Sequence, residues 1–381
     1  MNTVNRPLLS IIIPTRERVE TLKHTVATVL NQASNAFELI ISDNFSQDST
    51  RDVIGAIKDS RVRYVNTGCR LSMCDSWEYA LQHALGEYIL FIGDDDAAMP
   101  GALDKLISTI LLKSDYEVFS WPIHIYTWPI DGREAFVTHM APQRSPAEMD
   151  LVATARHVVA MGGWRHYRIP CMYHSAVSRR ISDEIRQVTG RVFHTTQPDV
   201  FLSMAVPVFA ARALNVGYCV TVHGRSAKSN GGSSIAKSGA QVQDMFVSEY
   251  GDYQIDATLF PEIQMKINLI PDAVLVVMKL FPDFYGNMTF NYDAMWAYIC
   301  RLQSFFGWPI TVTQIIGNRK KIRQYHNFRV LNFLYYLALH KLSEIRRSLL
   351  NMINLPRLSR EVVPPTIDEF VEQLAKEMEK I

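Results

Sequence analysis

Residues 86–103 read GEYILFIGDDDAAMPGAL, and this stretch decides how the first part of the chain folds. Tyr88 to Ile92 form a short, unbroken apolar run closed by Gly93. The length suits a strand, and the lack of alternation suits one covered on both faces, as in a parallel sheet. Three aspartates follow without a break, and after Pro100 the segment ALDKLISTILL reads as a helix.

The same alternation repeats upstream. LLSIII (8–13) is a buried strand ending at Pro14, and Leu22, Val26, Val29 and Leu30 recur at helical spacing. FELIIS ends at Asp43, and the loop NFSQDST offers Asp48 or Ser49 as the cap of a second helix. RVRYVN (61–66) is a third strand, and Met73 to Leu85 a helix that Gly86 stops. Strands alternating with helices predict an α/β fold with an open, mostly parallel sheet and right-handed crossovers. Such sheets bind ligands outside the carboxyl ends of their strands. Thr15-Arg16-Glu17, Asp43-Asn44 and Asp94-Asp95-Asp96 would all meet at that edge.

Downstream lie an aromatic-rich strand region, YEVFSWPIHIYTW, and a loop-rich stretch over 129–165 that includes Gly162-Gly163-Trp164. RIPCMYHSAVSRRISDEIRQV supplies a further strand and helix, and Gln197-Pro198 lead to Asp199 at the start of another helical pattern. GRSAKSNGGSSIAKSG (224–239) is the most polar stretch, so a catalytic unit is expected over 1–232, with halves at 1–110 and 111–232. A mainly helical unit is expected over 233–381.

Composition narrows the function classes. The 381 residues are 48% hydrophobic and 20% charged with a net charge of +1, which calls for no nucleic-acid partner. Five scattered cysteines without a C-x-x-C pair argue against a disulfide framework or a thiolate zinc site and point to a reducing, cytoplasmic setting. The opening MNTVNRPLLSIII lacks the pattern of a signal peptide, and no apolar run reaches the roughly 18 residues of a membrane span.

Three adjacent carboxylates at a strand end repel one another and raise each other's pKa. A divalent cation relieves that repulsion, and with no Cys or His nearby in sequence Mg²⁺ or Mn²⁺ is favoured over zinc. The competing reading is a solvated acidic turn at the start of the next helix. Local sequence leaves both open.

The collinear segments IIIPTRERVETL, FELIISDNFSQDST and GEYILFIGDDDAAMPGAL resemble the nucleotide-binding half of glycosyltransferase family 2, which has the GT-A fold. IPCMYHSAVSRR and GRVFHTTQPDVFLSMA are similar to the acceptor half of bacterial members, so the resemblance spans about residues 8–232. It implies an inverting transfer from a nucleotide-sugar, UDP-linked by preference, to a saccharide or lipid-linked saccharide acceptor, aided by Mn²⁺ or Mg²⁺. Pro14, Thr15, Arg16 and Asp43 then hold the nucleoside, and Arg70 faces the base or diphosphate. The chain departs from the family at Arg16 and Glu17, where an aromatic residue and Asn are usual. The family's Asp-x-Asp falls on Gly93 and Asp95, a shifted version. The resemblance therefore implies Asp95 as direct metal ligand, Asp96 as an alternative ligand, Asp94 near the ribose, and His223 on the metal or diphosphate. Arg225, Ser226, Lys228 and Ser229 would close over the diphosphate or form an ordinary loop. Asp199 matches the general base, its plain alternative being a helix-capping aspartate.

From 318 to 347 the chain carries eight Lys or Arg against one acid, Glu344. Leu334, Leu337, Ala338, Leu342 and Ile345 make an apolar stripe that suits either an anionic membrane surface or packing on the catalytic unit or a dimer partner. Its breadth favours packing. Two rivals stand beside the transferase. A sugar-phosphate nucleotidyltransferase would need a Gly-rich basic loop after the first strand, which Thr15 to Arg18 lack, and a catalytically silent nucleotide-sugar-binding protein would have little use for intact aspartates.

Overall fold

The computed structural model describes residues 6–139, 143–229, 248–251, 253–259, 265–306, 312–354 and 363–378. Strands β1 (Leu9–Thr15), β2 (Phe37–Asp43), β3 (Val62–Asn66) and β4 (Tyr88–Phe91) alternate with helices α1 (Val19–Leu30), α2 (Thr50–Gly55) and α3 (Met73–Gln82). These four strands are parallel, in the order β3-β2-β1-β4. Leu9, Ile11, Ile13, Leu39 and Ile41 enter the core on one face of the sheet, while Ile12, Ile40, Ile89 and Phe91 enter the other. The period-two alternation of strand side chains makes both faces apolar, and helices must cover both.

Beyond β4 come β5 (Ala97–Ala98), α4 (Ala102–Leu112), β6 (Val118–Ser120), β7 (His124–Thr127), β8 (Phe136–His139), β9 (Ala147–Asp150) and α5 (Leu151–Ala160). Then follow β10 (Ser175–Ser178), α6 (Arg179–Thr189), α7 (Pro198–Phe209), β11 (Arg212–Asn215) and β12 (Thr221–Arg225). The main sheet continues as β4-β10-β6-β11-β9, and β10 runs antiparallel to both its neighbours. A small second sheet, β5-β12-β7-β8, lies beyond the aspartates. The fold is thus an α/β arrangement with a mostly parallel central sheet, followed by a helical region.

That region comprises α8 (Met265–Leu280), α9 (Pro282–Tyr285), α10 (Tyr292–Phe306), α11 (Val312–Gly317), α12 (Arg319–Ile322), α13 (Val330–Asn354) and α14 (Ile367–Met378). Helix α8 packs on α7, α13 on α10, and α14 returns to α1 and β5. The boundary expected at 232/233 lies outside the described residues, as does most of the polar stretch 224–239.

Several local readings are corrected. The 129–165 stretch holds two strands and the helix α5, whose N-cap Asp150 accepts from the Ala153 amide at 2.8 Å. Ser49 is the N-cap residue of α2 but makes no side-chain cap; Asp48 serves two helices, accepting from the Thr50 amide at 3.0 Å with one oxygen and from the Val19 amide at the start of α1 at 3.1 Å with the other. Gly86 is required by packing and not by helix ending: α3 closes at Gln82, and a Cβ on Gly86 would lie 2.5 Å from the Ser10 nitrogen. The apolar stripe of α13 does not enter the core, since Leu334, Ala338, Leu342 and Ile345 are exposed and Leu337 is half-buried.

Candidate functional site

The carboxyl ends of β1, β2 and β4 bring their polar residues to one edge, and the triple aspartate is entirely buried there. Each carboxylate has its own partners. Asp94 accepts from Thr15 Oγ1 at 2.7 Å and pairs with Arg18 at 2.9 Å. Burial pushes its carboxyl up to about 7; Arg18 opposes that shift and Asp95 adds to it. Asp95 accepts from the Ser226 amide at 2.7 Å, and its carbonyl accepts from Trp128 Nε1 at 2.8 Å. Gly224 permits this approach, because a Cβ there would sit 1.7 Å from the Asp95 carbonyl oxygen.

Asp96 is the hub. Its carboxylate accepts from the Gly93 and Gly224 amides, from Tyr173 Oη at 3.0 Å, and faces His174 Nε2 at 3.1 Å and His223 Nδ1 at 3.4 Å. Burial would raise its pKa, but His174 and His223 more than offset this and hold it well below the ordinary range. His174 and His223 are 3.3 Å apart across their ring nitrogens, and His174 Nδ1 meets Thr221 Oγ1 at 2.7 Å. The metal-competent atoms of Asp96, His174 and His223 all lie within 4.8 Å of one another. Two imidazoles and one carboxylate suit a transition ion such as Mn²⁺ better than Mg²⁺, which prefers oxygen. No histidine lies near the aspartates in sequence, but chain folding brings two beside Asp96 in space. His174 holds a φ of 53°, a conformation costing a non-glycine residue about 1–3 kcal/mol.

At the end of β2, buried Asp43 accepts from the Ser46 amide at 2.9 Å, Tyr64 Oη at 2.6 Å and Asn66 Nδ2 at 2.9 Å. A carboxylate has about four acceptor positions, so one remains for a ligand donor. Pro14 and Thr15 end β1 beside Asp43, with Thr15 paired to Asp43 in the sheet register. Arg16 and Arg70 come together on one carboxylate, Glu249, at 2.9 and 2.7 Å. Lys228 reaches the Glu17 carbonyl at 3.1 Å, which brings the β12 loop over the β1 loop.

Asp199 occupies the second position of α7, whose N-cap Gln197 makes no side-chain cap. Its Oδ1 is inaccessible to solvent and has no hydrogen-bond partner among the described residues. The carboxylate acts electrostatically on Tyr173, Cys171 and His166. An aspartate that capped α7 would spend its oxygens on the helix amides.

Sequence reasoning missed Arg18, Tyr173, His174 and Glu249. Tyr173 and His174 immediately precede β10, and because β10 is antiparallel its start lies at the carboxyl edge of β4. The strand's direction was the missing signal.

Residues 10–164 match the family model described as Glycosyl transferase family 2. One relative is the GalNAc(5)-diNAcBac-PP-undecaprenol beta-1,3-glucosyltransferase of Campylobacter jejuni, 33% identical over 104 residues, covering 26% of this chain and 34% of the relative. A second is the UDP-Glc:alpha-D-GlcNAc-diphosphoundecaprenol beta-1,3-glucosyltransferase WfgD of Escherichia coli, 30% identical over 104 residues, covering 27% and 41%. The match thus spans well under half the length of these curated relatives. The structure of S. aureus TarS 1-349 in complex with UDP-GlcNAc overlaps 88% of this chain and 92% of that one at 12% identity and a TM-score of 0.49, a likeness that says nothing about the site.

Proposed function

We propose that this protein is an inverting glycosyltransferase that moves a sugar from a UDP-sugar to a hydroxyl of a lipid-linked saccharide in polysaccharide or glycolipid synthesis. The observation that carries the reading is the unpartnered Asp199 Oδ1, an acid kept free beside a cluster suited to a cation and a diphosphate. The names of the two relatives, both transferases acting on undecaprenol-diphosphate substrates and one using UDP-Glc, support donor and acceptor class.

In this reading residues 1–232 form the catalytic unit and 233–381 a helical one. Asp43, Pro14, Thr15 and Arg16 bind the nucleoside, Arg70 the diphosphate, and Asp94 with Arg18 braces the β1 loop near the ribose. Asp96, His174 and His223 would hold a divalent cation, with Asp95 as the neighbouring carboxylate. When bound, the ion would neutralise charge that develops on the departing diphosphate. Asp199 takes the acceptor proton as the hydroxyl attacks the anomeric carbon from the face opposite the diphosphate. Tyr173, with its phenol pushed well above its ordinary pKa by burial and by Asp96, stays protonated and fixes the Asp96 carboxylate.

The test is turnover of a UDP-sugar panel with Mn²⁺ and a saccharide-diphosphate-lipid acceptor, reading extended acceptor and released UDP by mass spectrometry. Tight UDP-sugar binding without any transfer across the panel would favour the silent binding protein. Formation of UDP-sugar from sugar phosphate and UTP would favour the nucleotidyltransferase.

A further inference from the structure

Helix α13 divides its residues sharply. Phe333 and His340 are buried, and the helix packs against α10. On the other side Leu331, Leu334, Tyr335, Leu342 and Ile345 are 82%, 39%, 60%, 61% and 56% exposed, and Ala338 between them is exposed too. At 3.6 residues per turn these six fall within an arc of roughly 100°. Scattered exposed leucines need no explanation, but a continuous apolar stripe marks an interaction surface.

Charge indicates what covers it. Arg319, Lys320, Lys321, Arg323 and Arg329 precede the stripe and are exposed. Residues 318–347 hold eight basic residues and one acid, while the whole chain carries only +1, so the rest of the molecule is net negative. A two-fold dimer through this face would bring two copies of the same basic segment together, since an isologous contact places one patch against itself. A surface of anionic headgroups over apolar chains matches both features at once. Among the described residues no helix is long and apolar enough to cross a membrane, which suits a helix lying in the interface.

We infer that the exposed face of α13, with the basic residues ahead of it, docks this protein on an anionic lipid bilayer. The inference extends the transfer reading, whose lipid-linked acceptor would lie at such a surface, but its test needs no turnover. The full chain is sedimented with vesicles of phosphatidylcholine alone or with phosphatidylglycerol, at low and high salt. Binding is expected on the anionic vesicles, weakened by salt. The pair Leu331→Asp with Leu342→Asp, and separately Lys320→Glu with Lys321→Glu, should each lower partition by about tenfold or more without changing the melting temperature appreciably. All four positions are exposed, so folding should survive. Wild-type protein that stays in solution beside anionic vesicles at low salt would overturn the inference. So would binding indifferent to the leucine pair. A dimer in sedimentation velocity that the leucine pair dissolves would assign the face to a second copy instead.

Discussion

The carboxyl edge of the sheet and the exposed side of α13 treat solvent in opposite ways. At the edge Asp43, Asp94, Asp95 and Asp96 are withdrawn from water, each held by named donors or cations. On α13, large apolar side chains that a core would accept stand in water. Burying a carboxylate costs several kcal/mol unless donors and opposite charges offset it (on the order of the penalties for buried ions). Exposing a leucine forgoes about 1.5–3 kcal/mol of burial. A chain that retains both departures from ordinary burial has, in each place, a surface shaped for something other than itself. The edge suits a small, charged ligand because its charges are preorganised, and the helix suits an extended partner because its side chains form a stripe.

The first test strikes hardest at the edge. If Asp199 is the base, Asp199→Asn should reduce transfer by about 10²–10⁴-fold while UDP binding stays nearly unchanged. Turnover close to wild type, with binding confirmed by calorimetry, would move the base elsewhere. Next in size is Asp96→Asn. Removing the hub carboxylate should weaken Mn²⁺-dependent stabilisation by UDP by at least about tenfold, read as a loss of the thermal shift between Mn²⁺ and EDTA. Retention of the full shift in Asp96→Asn together with its loss in Asp95→Asn would move the cation to Asp95.

Glu249 follows the polar stretch in sequence yet binds Arg16 and Arg70 at the carboxyl edge of the sheet. If Arg16 and Arg70 take the donor's phosphates, Glu249 competes for them, and Glu249→Gln should raise UDP affinity severalfold by calorimetry. An unchanged or lower affinity would mean that Glu249 orients the arginines and does not compete with the ligand.

The smallest effect belongs to the helical side. Asp272 of α8 accepts from Tyr253 Oη at 2.6 Å and the Asp256 amide at 2.7 Å, and burial pushes its carboxyl up to about 6. The folded state therefore keeps a proton that the unfolded chain releases near pH 4. Stability contributed by that proton is present below the unfolded pKa and is lost as pH rises through about 6. Melting temperature should fall by a few degrees across this window in wild type, and by less in Asp272→Asn. Equal slopes in the two proteins would remove Asp272 from the account.

Much of the sheet's carboxyl edge was legible because its signals are local. Apolar runs of strand length ending in Pro14, Asp43 and Gly93 report the parallel sheet, and parallel strands necessarily bring their carboxyl ends to one edge. Thr15, Asp43 and the triple aspartate could therefore be expected to meet before any coordinates were seen. Tertiary structure alone decided the rest. An antiparallel β10 delivers Tyr173 and His174 to Asp96, β12 brings His223 and Gly224 from more than 120 residues away along the chain (|i−j| of 128 for Gly224 and Asp96), and Glu249 reaches back to Arg70 across a separation of 179. It also decided which side of α13 meets water. Periodicity reveals that a helix has an apolar stripe, but whether the stripe is covered depends on which neighbour packs there, and α10 takes the face of Phe333 and His340 instead.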